Sequence, residues 1–191
     1  MNKLSILFII ASLAFFSSCA TVNTQKESNI NPNNIVRWTD TTKLSWDDFQ
    51  GQPTKEAKAG SEIIIQSPTN FHKATYLTPA SATVECYVDK KASWVKKSQA
   101  KPQLLYYHQT LFDLYELYTR KLRKKFAETT FGIENPSGVF DSMYQAHTAD
   151  LSKAVAQYRT ESAMGTKNKK IKEWSEKIAS ELKELDKYRT Q

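Results

Sequence analysis

Hydrophobic and polar positions alternate in the front half of the chain and recur at helical steps in the back half. In front, "SEIIIQ", "ATYL" and "ATVECYV" are short β-branched or alternating runs separated by Pro68 and Pro79. Such runs predict short antiparallel strands bounded by breakers. Along "ATVECYVDK", a period of two places Ala82, Val84, Cys86 and Val88 on one face, with Glu85, Tyr87 and Asp89 on the other. A further strand runs into "ASWVKK". Upstream, "KLSWDDFQGQP" offers Trp46 and Phe49 as buried anchors and Gly51 and Pro53 as breakers. Asp47 and Asp48 suit turn or cap positions there.

The back half is helical. Pro102 fits a first helical turn, and Leu104 to Phe126 continue without Gly or Pro. Positions 104, 105, 111, 112, 115, 118 and 122 are apolar at three- and four-residue steps, which predicts one buried face. The basic end "RKLRKK" complements the negative C-terminal pole of a helix. After a loop at "GIENPSG", a second helix is expected from about Val139 to Ala163, with Gly165 free to supply a left-handed cap. A third, from Lys169 to about Tyr188, carries Ile171, Trp174, Ile178, Leu182 and Leu185 on one stripe. Strands followed by helices give the α+β class: a small antiparallel sheet in the N-terminal half, then about three helices.

The N-terminus addresses location. Lys3 supplies a positive start, Leu4 to Phe16 form an apolar stretch, and Ser17 and Ser18 lead into Cys19. This is the pattern of a secretory signal, and a cysteine after two small residues resembles a bacterial lipobox. Phe16 departs from the aliphatic residue usual three places before the cysteine. An ordinary cleaved signal is the alternative. The expected organisation is a lipoprotein signal peptide at 1–18, a polar, Asn-rich tether at 19–36 and one α+β domain at 37–191. Cys19, once acylated, would hold the domain at a membrane of the cell envelope, on a periplasmic or outer-membrane face. The partners expected are that membrane and an envelope protein.

Charge and composition narrow the chemistry. The formal charge is +7, which fits helix faces rich in solvated lysine; export and the lack of any nucleic-acid module argue against nucleic acid. The five glycines are not clustered, so no phosphate loop is present, and no G-x-S-x-G element occurs. With Cys19 acylated, Cys86 would have no partner for an intrachain disulfide; its place in an alternating run marks it as a small core residue.

Three stretches share their order with a known family. "LSWDDFQGQP" at 44–53, "SWV" at 93–95 and "LLYYHQTLFDLYELYTRKLR" at 104–123 resemble elements of a bacterial domain-of-unknown-function family of predicted secreted zinc-dependent proteases of the H-E-x-x-H type. The family helix has the form L-L-x-H-E-Q-x-H-F-D-I-x-E-x-x-x-R-K-L-R. A later signature, Y-D-x-E-T-x-H-G, is matched by "YRTESAMG" at 158–165, followed by Trp174 and Ile178. The resemblance covers about residues 36 to 185 and implies a zincin-like arrangement.

In the family, two histidines four apart on one helix face would share a zinc ion, with the glutamate between them as general base. A third ligand would come from the later H-G. Aligned on Phe112 and Asp113, the first ligand position is Tyr107, the glutamate position is His108, the second ligand position is Leu111 and the third is Met164. Leucine cannot ligate, and neutral tyrosine and thioether are poor zinc ligands. His108 has Phe112 four residues on, and His72 and His147, expected in a loop and on the second helix, have no ligand spacing. The chain is therefore expected to be a degenerate member, with no metal ligand, no cofactor and no catalytic residue. Tyr107, Leu111 and Met164 would converge and pack where the ion sat. Asp113 and Glu116 match the family but are expected to order neighbouring turns or pair with Arg120 and Lys121; Glu116 to Arg120 has the favourable polarity. The function implied is a binding or assembly role. The alternative is an active hydrolase with an unrecognised site around His108, whose unperturbed pKa suits acid–base work.

Overall fold

The computed structural model describes residues 31–190, so the signal peptide, Cys19 and the first part of the tether lie outside the described residues. The architecture is α+β. Seven short strands come first: β1 (Ile35–Arg37), β2 (Ser61–Glu62), β3 (Ile65–Gln66), β4 (Thr69–His72), β5 (Ser81–Val84), β6 (Tyr87–Asp89) and β7 (Trp94–Val95). Three helices follow: α1 (Pro102–Glu128), α2 (Pro136–Glu161) and α3 (Asn168–Glu184). All strand pairs are antiparallel, in three small sheets: β1-β6-β3, β2-β7 and the hairpin β4-β5. Among the described residues no helix is long and apolar enough to cross a membrane.

Several expectations need correction. The tether's last residues already belong to the fold, because Ile35 and Val36 pair with Asp89 and Val88 of β6. The run "ATVECYV" is not one strand. It breaks at Glu85 and Cys86, so β5 pairs with β4 while β6 joins the other sheet. Tyr87 is consequently buried together with Cys86 and Val88 instead of facing away. Nor is "ATYL" a strand. The strand is "TNFH", which ends at His72, and "ATYL" forms the hairpin connection, with Tyr76 and Leu77 fully in solvent.

The helices start and stop where local chemistry directs. Pro102 stands at the first turn of α1, where its missing N–H is no loss. Inside the expected loop, the Asn135 side chain accepts from the Gly138 N–H at 3.0 Å, so α2 begins at Pro136, earlier than Val139. α3 ends at Glu184, and Asp186–Tyr188 form a separate single turn of 3-10 helix.

α1 is the axis of the domain. Strand-side residues Leu44, Phe49, Ile63 and Val88 meet Leu111, Phe112, Leu114 and Leu117 of α1, which also receive Val155 and Tyr158 of α2 and Ile171 and Ile178 of α3. A second cluster joins Val84 to Leu122, Phe126 and Phe140, with Phe71 and Phe131 packed against it. α1 is thus buried around most of its circumference, not on one face. Its hidden polar residues, Thr110, Glu116, Thr119 and Arg120 among them, occupy positions that the apolar pattern assigned to solvent.

Candidate functional site

Residues 107 and 111 stand one turn apart on α1, and both are core side chains. The Tyr107 ring stacks on Tyr158 of α2 with centroids 5.1 Å apart and planes at 13°. Tyr158 also donates its hydroxyl to the Tyr107 carbonyl at 3.0 Å. Burial raises the pKa of Tyr107, and the Arg159 guanidinium beside it opposes that rise.

Met164 arrives from the turn after α2. Ala163, Met164 and Gly165 take φ of 46°, 53° and 93°, consecutive left-handed conformations. The Gly165 position demands glycine twice over, since a Cβ there would lie 3.1 Å from Tyr107 Cγ and 3.2 Å from Leu104 Cδ1. Gln103 fastens the turn to α1 by donating to the carbonyls of Gly165 and Thr166 at 2.8 and 3.0 Å. The Tyr107 hydroxyl points at the Met164 sulfur, 4.0 Å away. Met164 itself is 58% exposed. Tyr107 and Leu111 therefore pack in the core, whereas the expected convergence does not extend to Met164, which lies exposed with its sulfur over the tyrosine hydroxyl. The left-handed turn holds its backbone at the surface.

His108 faces the strands. Its Nε2 lies 2.8 Å from Ser61 Oγ, while the buried Nδ1 has no partner. Trp46, Phe49 and Tyr107 surround the ring, with centroids 6.2, 5.2 and 5.2 Å away. Burial, helped by the Arg159 charge, lowers its pKa to about 4. An imidazole so depressed is neutral at pH 7 and is a weak base. No carboxylate stands behind Nδ1 to orient it or stabilise its cation. Ser61 is 47 residues upstream, and nothing in its local sequence announces the contact.

The acidic positions matching the family are structural. Asp113 accepts from Trp38 Nε1 at 2.9 Å and Gln109 Nε2 at 3.0 Å, so its partners are not Arg120 and Lys121. Burial raises its pKa, and those two hydrogen bonds oppose the rise. Glu116 does pair with Arg120, at 3.0 Å, and also with Arg123, at 2.8 Å. The pair with Arg120 is fully buried, and Arg120 additionally donates to the Leu182 carbonyl of α3 at 2.9 Å. Asp48 closes a capping box with Ser45. Cys86 is a buried free thiol whose pKa is pushed up, chiefly by burial, which disfavours the thiolate. His72 ends β4, a strand and not the expected loop; His147 is buried on α2 with its pKa lowered to about 4, chiefly by burial.

Beside these residues α2, Ser67 and Tyr115 of α1 line an open cleft of about 660 Å³. Leu151, Val155 and Ala156 line it with apolar surface, and Tyr144 and Ser152 are among its polar lining residues. Arg159 stands at its edge. The guanidinium makes no ion pair with any carboxylate among the described residues. Nearby Glu161 is taken by Gln157 and Trp174, at 2.8 Å each. Sequence pattern alone passes over Arg159, because a basic residue in the last turn of a helix is commonplace. Its companions Ser67 and Tyr115 are distant along the chain.

No family model, curated protein or solved structure matches the chain significantly. Among the described residues no three His, Cys, Asp or Glu side chains gather as a metal-ligand set.

Proposed function

We propose that this chain is a lipid-anchored bacterial envelope protein with a catalytically inactive, metalloprotease-like domain in a binding or assembly role. The observation that carries it is the state of the two aligned ligand positions on α1. Tyr107 and Leu111 fill the interior, and the Tyr107 ring is fixed by its stack on Tyr158. A divalent ion would find one phenol of raised pKa, one hydrocarbon and one exposed thioether there. Tyr107 and Leu111 instead close the core, and the neighbouring cleft supplies a surface for a ligand. The leader ending in Cys19 supports the anchor.

Metal analysis of the purified full chain, joined to a thermal scan with chelator, tests the inactive-metal reading. No bound zinc and an unchanged melting temperature are expected; stoichiometric zinc, or unfolding by chelator, overturns it. For the anchor, Cys19→Ala should move the protein from membranes to the soluble fraction, and retention counts against it.

A second reading, a hydrolase centred on His108, gains one favourable contact in Ser61. Phosphonylation of Ser61 by a fluorophosphonate probe, with fluoride as the leaving group, abolished in Ser61→Ala and in His108→Gln, would establish it. The depressed pKa and partnerless Nδ1 of His108 weigh against that outcome.

A further inference from the structure

We propose that the cleft between α2 and the Ser67 segment binds a ligand through a single carboxylate group, received by the guanidinium of Arg159. This rests on the binding role proposed above and names the chemistry of its ligand.

The charge in the cleft sets the class. Of its lining side chains only Arg159 carries a formal charge at neutral pH, since His147, the one other titratable base there, is held neutral. One cation matches one monoanion. A phosphate dianion would call for a second positive group, and none lines the cleft. A guanidinium also presents two parallel N–H donors, spaced for the two oxygens of a carboxylate.

The placement of Arg159 points the same way. The C-terminal pole of α2 favours a cation in the last turn, but it does not require that cation to lean inward. Arg159 lines the cleft together with Tyr115 of α1 and makes no ion pair among the described residues.

The remaining walls describe the body of the ligand. Thr148 and Thr160 turn their hydroxyls back to the carbonyls of Tyr144 and Ala156, and Ser67 meets Thr119, so those three hydroxyls are occupied. Tyr115, Tyr144 and Ser152 are left to face a guest, opposite Leu151 and Val155. About 660 Å³ suits a small organic acid or the last residues of a peptide, and falls in the usual size range of ligand pockets. Both sources present the same carboxylate.

Calorimetric titration of the full chain separates them. The probes are phenylacetate, its primary amide, a tetrapeptide with a free C-terminus, the same tetrapeptide amidated, and inorganic phosphate. Expected is binding of at least one free acid, a loss of tenfold or more for its amide, and a similar loss in Arg159→Gln. Arg159 is exposed, so the variant should melt within a degree or two of the parent. Preference for phenylacetate assigns a small acid, and preference for the peptide assigns a chain end. Equal binding of acid and amide, unchanged affinity in Arg159→Gln, stronger binding of phosphate, or no binding by either acid overturns the proposal. The metal analysis is blind to Arg159, so failure here leaves the metal-free domain standing. Bound zinc would reject that domain reading without touching this result.

Discussion

The hydroxyl of Tyr158 is hydrogen-bonded to the backbone carbonyl of Tyr107 at 3.0 Å, while the two rings lie stacked. A single residue of α2 thus grips α1 by its backbone and by its side chain. Tyr158→Phe keeps the stack and deletes only the hydrogen bond, so a loss of about 1 kcal/mol is expected. Tyr158→Ala also opens a cavity and should lose about 3–5 kcal/mol. Urea unfolding checks both, with the midpoint moving and the slope constant.

Glu116 pairs in the interior with Arg120 and Arg123, and the Arg120 guanidinium also sits over the face of Trp38, 4.9 Å from the ring centroid. Glu116→Ala removes the one buried carboxylate among Arg120's described partners, leaving only the half-exposed Asp40 and Asp186 at 3.3 and 3.7 Å, and a buried guanidinium stripped of its nearest counter-charge is severely unfavourable. A loss of about 3–5 kcal/mol is expected. Arg37, whose partner Glu85 is solvent-exposed like itself, is the control; Arg37→Ala should change stability by under about 1 kcal/mol.

Acid should loosen the fold through its histidines. His108 and His147 have folded pKa values of about 4 against 6.5 for the free side chain. Below pH 6.5 the unfolded chain takes up protons that the folded chain refuses, so stability falls as pH drops from about 6.5 towards 4. Each group contributes up to about 3 kcal/mol across that window. Asp113, with its raised pKa, acts in the opposite sense. Denaturation at pH 7.5 and pH 4.5 measures the slope, and His147→Gln should remove about half of it. An undiminished slope would show that His147 is not held neutral.

Gly165→Ala forces a Cβ against Tyr107 and Leu104 in a backbone conformation with φ of 93°. The expected loss is about 1–3 kcal/mol, from left-handed strain and overpacking together. A thermal melt checks it. Because the turn touches Tyr107, the same variant should also disturb near-ultraviolet circular dichroism from the Tyr107–Tyr158 stack.

Long-range order in the chain was readable where one physical signal dominated. α1 and α3 announce themselves by uninterrupted apolar steps, and the α+β division by the change of period near Pro102. The front half was harder. "ATYL" has the composition of a strand but no neighbour to pair with, while "TNFH" has one large apolar residue, Phe71, and becomes a strand because that ring finds Phe131 and Phe140 at 5.4 and 5.0 Å. Tertiary contacts of this kind leave no local trace. The polar interior of α1 was hidden for a related reason. Glu116 and Arg120 look like a surface pair until α3 lays the Leu182 carbonyl over them. At the site, Tyr107 and Leu111 were singled out by the family resemblance, not by their local pattern. Arg159 could not be singled out, since its meaning comes from Tyr115 and Ser67, which only the folded chain brings near.

The bend after α2 winds briefly with the wrong hand for L-amino acids, yet glycine occupies just one of its three places. Ala163 and Met164 keep β-carbons where a hydrogen atom would sit more comfortably. Evolution has left spare robustness untouched at this corner, and Ala163→Gly should collect it as a higher melting point. The same corner tells a protein engineer where Ala163 could be exchanged for toughness without reaching into the cleft.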